Sequence, residues 1–279
     1  MTEIIQNIFE SVCRYDAENP PRGYLGMSSI GSPCEKQSWY AWRQTTGQIT
    51  DGRVLILFEF GRHVEQIICR SLRLAGYVLT GAFPDPQLHY EDCGGFFAGH
   101  PDGVIDDSDG AIVLEAKSAN TNKFKAFGDK GVAEVYPAYM AQVQLYMGYS
   151  GLKRALFVVM KKDNSDLYTE IVPFDPAIAT ANRNKAARII QTHDGAGKIY
   201  IPERISDDPR SDDCKWCRYR TPCFSPSEAT QTVHSCRSCA YLRIGADFLP
   251  WCSNSSHPAR LKDISIACPQ WVWVGRTSF

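Results

Sequence analysis

The chain predicts a mixed α/β fold, a central sheet flanked by helices, followed by a cysteine-rich C-terminal region. Three observations predict it. Segments with a helical apolar period alternate with short β-branched and aromatic runs, in the order helix, strands, helix, strands, helix. The chain has 279 residues, 44% of them hydrophobic, enough to bury a sizeable core. After Pro202 the composition changes to Cys, Arg, Pro and Ser, and regular periodicity fades.

In order, MTEIIQNIFESVCRY reads as a short amphipathic helix. Ser32 is placed to cap a second helix, with Pro33 at its first position and Glu35 in its first turn. Residues 54–76 form a strong helix candidate ending at Gly76. Residues 77–90, 95–105 and 111–118 read as strands, and 119–132, rich in Lys, Asn and Gly, as a loop. A helix is predicted around 134–150, a hairpin from 154–162 and 167–174 around DNSD, and a helix over 176–196.

Net charge is −1, so bulk charge does not call for nucleic acid, and any basic surface must be local. The N-terminus lacks a basic stretch followed by an apolar run, and no apolar segment reaches membrane-spanning length. The expectation is a cytosolic protein with no membrane partner. In that setting, clustered cysteines among the 11 present read as metal ligands rather than disulfides.

The most informative stretch is GHPDGVIDDSDGAIVLEAKS, residues 99–118. Side chains alternate along a strand, so Val113, Glu115 and Lys117 share one face, and Ile112, Leu114 and Ala116 the other. If Asp107 to Gly110 close a hairpin, Asp106 pairs with Ala111, Asp102 falls opposite Glu115, and His100 opposite Lys117. Two facing carboxylates repel unless a cation lies between them. A divalent metal held by oxygen ligands resolves this. Lys117 can then orient a water and offset charge on a phosphate. The plainer reading is a surface hairpin with an ordinary Glu–Lys salt bridge. Upstream, Gly61 precedes Glu65 by four; downstream, Gln142 and Tyr146 share a helix face.

The set Gly61-x3-Glu65, Pro101-Asp102, Glu115-Ala116-Lys117 and Gln142-x3-Tyr146 resembles the PD-(D/E)XK nuclease superfamily, in its RecB and lambda-exonuclease-like branch. The resemblance spans residues 61–146. It implies a restriction-endonuclease-like core in which Asp102 and Glu115 bind Mg²⁺ or Mn²⁺, aided by the Ala116 carbonyl. Lys117 assists the attacking water, and Gln142 and Tyr146 support the site or the DNA backbone. It implies an upstream metal ligand as well: Glu65 by the lambda-like spacing, His63 by likeness to CRISPR-associated RecB-type nucleases. Two apart on a helix, these point in different directions.

CKWCRYRTPC gives Cys214-x2-Cys217-x5-Cys223, and Cys34 is the candidate fourth ligand. Four thiolates suit zinc or an iron–sulfur cluster. The arrangement resembles the iron–sulfur staple of the CRISPR-associated RecB-type and AddB-type nucleases, which implies a 4Fe-4S cluster on Cys34, Cys214, Cys217 and Cys223. Such a cluster would close a loop of nearly two hundred residues, and its loss should loosen the nuclease domain. In the tail, Cys236-x2-Cys239, Cys252 and Cys268 make a zinc-ribbon-like Zn²⁺ site, with His257 as an alternative to Cys268 and His234 as a weaker rival. Its role is DNA or protein docking, or only holding the tail together. The tail also resembles small cysteine modules of phage-encoded proteins.

Lys117, Lys123, Lys125, Lys130, Lys161 and Lys162, and separately Arg210, Lys215, Arg218 and Arg220, are the local basic residues phosphate binding needs. Tyr136, Tyr139 and Trp216 suit stacking on unpaired bases. The expected layout is an N-terminal helical segment over 1–50 supplying one cluster cysteine, a nuclease core over 51–200, a cluster segment over 201–230, and a cysteine module over 231–279. The resemblance implies a metal-dependent DNA exonuclease in the cytosol of a bacterium, archaeon or phage-infected host. Its implied setting is recombination, repair or phage replication, with a recombination or replication protein as a further partner. An endonuclease of the same fold and a non-cleaving DNA-binding scaffold are the alternatives. Oligomeric state is left open.

Overall fold

The structure is a computed structural model that describes residues 2–19, 22–45, 51–193, 199–226, 233–254 and 259–274. His257, the alternative zinc ligand, lies outside the described residues. The chain forms two compact units. The first comprises residues 1–20, 50–90 and 99–182; the second comprises 21–49, 91–98 and 183–279.

In chain order the helices and strands are α1 (Glu3–Ala17), β1 (Leu25–Gly26), α2 (Met27–Ile30), α3 (Glu35–Trp42), α4 (Gly52–Leu74), β2 (Val78–Thr80), β3 (Tyr90–Asp92), β4 (Phe97–Gly99), β5 (Gly103–Asp107), β6 (Gly110–Ala119), α5 (Thr121–Val135), α6 (Pro137–Ser150), β7 (Arg154–Lys161), β8 (Leu167–Pro173), α7 (Pro176–Ile190), α8 (Arg220–Phe224), β9 (Leu242–Ile244), β10 (Pro250–Cys252) and β11 (Ala259–Arg260). Among the described residues, no helix is long and apolar enough to cross a membrane.

The first unit is built on a five-stranded sheet of order β2-β5-β6-β7-β8. Only β6 and β7 run parallel; the other neighbours are antiparallel, so the sheet is mixed, as expected. One face of β6 is apolar for a reason legible in its alternation. Ile112, Leu114 and Ala116 join Ile105 in a core completed by Val64, Ile68 and Cys69 of α4. Helix α4 starts where the Asp51 carboxylate accepts the Arg53 amide at 2.8 Å, and the chain turns at Gly76 with φ +92°. Gly52 lies against α1: a Cβ there would sit 2.4 Å from the Phe9 carbonyl oxygen.

In the second unit, α3 packs with the tail through two buried arginines. Arg43 Nη2 donates to the Cys239 carbonyl at 2.6 Å. Arg237 Nε donates to the Trp42 carbonyl at 2.8 Å and its guanidinium lies 4.2 Å over the Trp42 ring. Burial lowers the pKa of Arg43 to about 9 and of Arg237 to about 10.

Several expectations are corrected. The expected loop over 119–132 is instead the last residue of β6, the Asn120 cap and most of α5. The Asn120 side chain accepts the Lys123 amide, and Gly131, at φ +76°, breaks the helical path near its end. The capping outweighs a composition that reads as loop. Ser32 does not cap α3; Cys34 holds that position, and Ser32 Oγ bonds Gln37 Oε1 at 2.5 Å. The long strand over 77–90 shrinks to β2 and the first residue of β3, and that over 95–105 divides into β4 and β5. Helix α7 ends at Ile190. The tail, without evident period, holds a three-stranded sheet of order β11-β10-β9.

Candidate active site

The β5–β6 hairpin has the expected register: Asp107 pairs with Gly110, Asp106 with Ala111, and Gly103 with Leu114. Asp102 lies one step beyond the ladder. Its main-chain amide donates to the Leu114 carbonyl at 3.2 Å, and its side-chain Oδ2 accepts the Ala116 amide at 2.7 Å. The carboxylate is thereby tied to the strand segment between Glu115 and Lys117. His100 does not continue the register to Lys117. Gly103, at φ +153°, turns the chain away, and His100 Nε2 instead lies 2.9 Å from His89 Nδ1.

Glu115 is fully buried, at 0% exposure. Its Oε1 accepts a hydrogen bond from Lys117 Nζ, and its Oε2 has no hydrogen-bond partner among the described residues. Gln142 Oε1 is likewise buried and without a partner among the described residues, while its amide donates to Tyr146 Oη at 3.1 Å. Burial pushes the Glu115 carboxyl up to about 8; Lys117 opposes this and Asp102 adds to it. Asp102 is also raised by burial, against the pull of Lys117 and the Ala116 amide. Burial alone would lower the Lys117 ammonium, but Glu115 and Asp102 reverse the sign and raise it.

The two upstream candidates face different surroundings. Glu65 is pushed up to about 7 by burial and then by Asp102, while Lys117 and a 2.8 Å hydrogen bond from Gln87 oppose the shift. His63 has a side chain 60% exposed, with Nδ1 3.0 Å from the Glu59 carbonyl one turn earlier. Gln87 was not singled out from sequence, because nothing around it signals a chemical role. The sequence marks Tyr139 only as a stacking residue, yet its ring centroid lies 5.1 Å from Lys117 Nζ.

Several of the clustered cysteines influence one another's thiols. The Cys217 thiol is raised by burial, with Cys34 and Cys214 adding to the shift; Cys223 is raised by burial, with Cys34 and Cys217 adding to it. Cys236 is pushed up to about 11 by burial, then by Cys239, Cys268 and Cys252. Among the described residues, however, no group of three or more His, Cys, Asp or Glu side chains closes into an assembly that could hold a metal ion. The carboxylate set still has the chemistry of a hard divalent site: oxygen donors, one buried carboxylate oxygen without a partner among the described residues, and carboxyls raised by burial.

Residues 86–153 match the family model of the YqaJ-like viral recombinase domain. The match contains Asp102, Glu115, Lys117, Gln142 and Tyr146, so the lambda-exonuclease-like PD-(D/E)XK resemblance read from their spacing is borne out over that segment. No curated protein matches the chain. Among solved structures, the alkaline exonuclease LHK-Exo from Laribacter hongkongensis is 15% identical, with a TM-score of 0.44, over 65% of this chain and 90% of its own. The structure of SSO0001 is 13% identical, with a TM-score of 0.45, over 83% and 99% of the respective chains. A phage-related exonuclease from Haemophilus somnus 129PT is 17% identical, with a TM-score of 0.33, over 44% and 63%.

Proposed function

We propose that this chain is a divalent-metal-dependent deoxyribonuclease, an exonuclease that hydrolyses phosphodiester bonds at DNA ends or in single strands. The observation that carries the reading is Glu115: fully buried, bonded to Lys117 through one oxygen and without a partner among the described residues on the other, next to the Ala116 amide that holds the Asp102 carboxylate. A buried carboxylate oxygen without a partner is costly unless it serves a ligand.

In this reading Asp102 and Glu115 hold Mg²⁺ or Mn²⁺ with the Ala116 carbonyl, and Glu65 completes the shell. The raised pKa of Glu65, caused by burial and Asp102, supports it over the exposed His63. The bound ion supplies a more acidic water and neutralises phosphate charge. Lys117 orients the attacking water and offsets the negative charge that grows on the phosphate oxygens. Gln142 and Tyr146 hold that face of the site in place through their mutual hydrogen bond.

We further infer a 4Fe-4S cluster on Cys34, Cys214, Cys217 and Cys223, with zinc in the same ligands as the alternative. A Zn²⁺ module is inferred on Cys236, Cys239, Cys252 and Cys268. The mutual charge effects within each set support both inferences. On this reading residues 201–230 are a cluster segment and residues 231–279 a cysteine module. The recombinase-domain match supports a role in recombination or phage DNA metabolism, in the cytoplasm of a bacterial, archaeal or phage-infected cell, alongside a recombination or replication protein.

End-labelled single- and double-stranded DNA with Mn²⁺ tests the activity. Wild type is expected to shorten labelled strands and Lys117→Ala to be inert. If both are inert on every substrate, the non-cleaving scaffold replaces this reading. Cleavage of closed circular DNA as readily as linear DNA makes the chain an endonuclease.

A further inference from the structure

Where β6 and β7 end in the first unit, two lysines lie over aromatic rings instead of against carboxylates. Lys123, in the first turn of α5, has its Nζ 4.2 Å from the centroid of Tyr136. Lys162, just after β7, has its Nζ 5.6 Å from the centroid of Phe60. They flank one strand end: the Lys162 amide donates to the Ala119 carbonyl at 2.9 Å, and the adjacent Asn120 accepts the Lys123 amide, also at 2.9 Å. Both lysines are exposed, and among the described residues neither is paired with a carboxylate. The acids nearby in sequence are engaged elsewhere: Asp163 accepts from Thr121, and Asp166 pairs with Lys161 at 3.8 Å.

The row continues inward. The Tyr136 ring lies 4.0 Å from that of Tyr139, which lies against Lys117. Cations and aromatic faces thus run from the buried Glu115–Lys117 pair out to Lys123. A lysine over a ring keeps its ammonium available to a phosphate, because the ring competes weakly for it. An aromatic face stacks on any base, but only on one that is not already stacked within a duplex. Phe60, 42% exposed, adds a second such face beside Lys162.

We propose that Lys123 with Tyr136, and Lys162 with Phe60, form a two-step seat for an unpaired DNA strand, the ammoniums taking phosphates and the rings taking base faces. The inference deepens the nuclease reading by assigning the strand a path to Lys117, and it rests on that reading for the path's destination alone.

The test is binding, without divalent ion, of a fluorescent single-stranded oligonucleotide titrated over a range of salt. Lys123→Ala and Lys162→Ala are each expected to weaken binding and to reduce the slope of log K against log salt by about 0.7. Tyr136→Leu and Phe60→Leu are expected to weaken binding roughly 5- to 150-fold with the slope unchanged, and Tyr136→Trp to retain it. Thermal melts identify any variant that does not fold. Unchanged slopes in both folded lysine variants overturn the seat, as does failure of wild type to bind the single strand. Duplex bound as tightly, with the same response to the variants, overturns the unpaired strand as occupant. If these dependences hold but wild type cuts no DNA with Mn²⁺, the seat stands and the nuclease reading falls. Cleavage with unchanged slopes gives the reverse.

Discussion

Asp102 Oδ2 accepts the Ala116 amide at 2.7 Å, across 14 residues of sequence. The bond fixes the Asp102 carboxylate against the middle of the Glu115-Ala116-Lys117 motif. Its removal should separate structure from chemistry. Asp102→Asn retains an oxygen able to accept the amide and loses the charge. Asp102→Ala leaves a buried N–H without a partner, which costs about 1–3 kcal/mol. Both variants are expected to lose hydrolysis, and Asp102→Ala to be the less stable by that amount in urea titrations. Equal stability would show that the hydrogen bond contributes nothing to the fold.

The Glu115–Lys117 pair predicts strong coupling. Lys117 is 20% exposed in its side chain and Glu115 is not exposed at all. Breaking a buried pair from one side costs about 3–5 kcal/mol, because the remaining charge is uncompensated. Lys117→Met alone is expected to destabilise strongly, though less once Glu115 takes up a proton. The double variant Glu115→Gln with Lys117→Met should recover much of the loss. A double-mutant cycle from denaturant unfolding measures this; additive losses would mean the two groups act independently.

The raised carboxyls set a pH dependence for the metal-free protein. Burial raises Glu115 from 4.5 to about 8 and Glu65 from 4.5 to about 7, and Asp102 shifts in the same direction. Between the unfolded and folded values the native state holds more protons than the unfolded state. Stability is therefore complete at low pH as far as these groups go, falls as pH rises from about 4.5 to about 8, and is flat above. Melting temperatures at several pH values should show this decline. It should be shallower in Glu115→Gln, and Mn²⁺ should counter it by favouring the ionised form. A rise in stability through the same window in metal-free protein would contradict it.

How much of this was legible in sequence depended on range. The register from Asp107–Gly110 to Gly103–Leu114 followed from a four-residue turn and strict alternation, both local, and so did the apolar face of Ile112, Leu114 and Ala116. The departure of His100 from that register was not legible, because it depends on the backbone angle of one glycine. Helix α5 was hidden by Lys, Asn and Gly; its helical state rests on the Asn120 cap, and burial of Phe127 and Val132 accompanies it. The Gly61-x3-Glu65 spacing favours Glu65 over His63, but spacing does not give which side of α4 meets Asp102. The Gln87 bond to Glu65 joins residues 22 apart with no motif between them.

The first cysteine set makes a spectroscopic prediction. Protein purified without oxygen should be brown and absorb broadly in the visible through a 4Fe-4S cluster, and Cys217→Ser should bleach it. A colourless sample with zinc bound to four thiols would replace the cluster with zinc. In either case, substituting one of Cys34, Cys214, Cys217 or Cys223 should lower the melting temperature, since metal binding contributes to folding.

Gly103 offers the sharpest test of how the fold aims the site. At φ +153°, it ends the β5 ladder and turns the chain toward Asp102, and a Cβ there would lie 2.7 Å from the Ala82 Cβ. Gly103→Ala must therefore shift the chain at Ala82, just after β2, or alter the backbone angle, and strain of this kind costs about 1–3 kcal/mol. Because Asp102 immediately precedes Gly103, the displacement should reach its carboxylate before it reaches the Leu114 side of the core. The expected signature is a moderate loss of stability with a larger loss of Mn²⁺ affinity, read by calorimetry on folded protein. Ala82→Gly in the same chain should relieve the contact and return part of both. If Mn²⁺ affinity is unchanged while stability falls, Gly103 serves packing alone and the aim of Asp102 is set elsewhere.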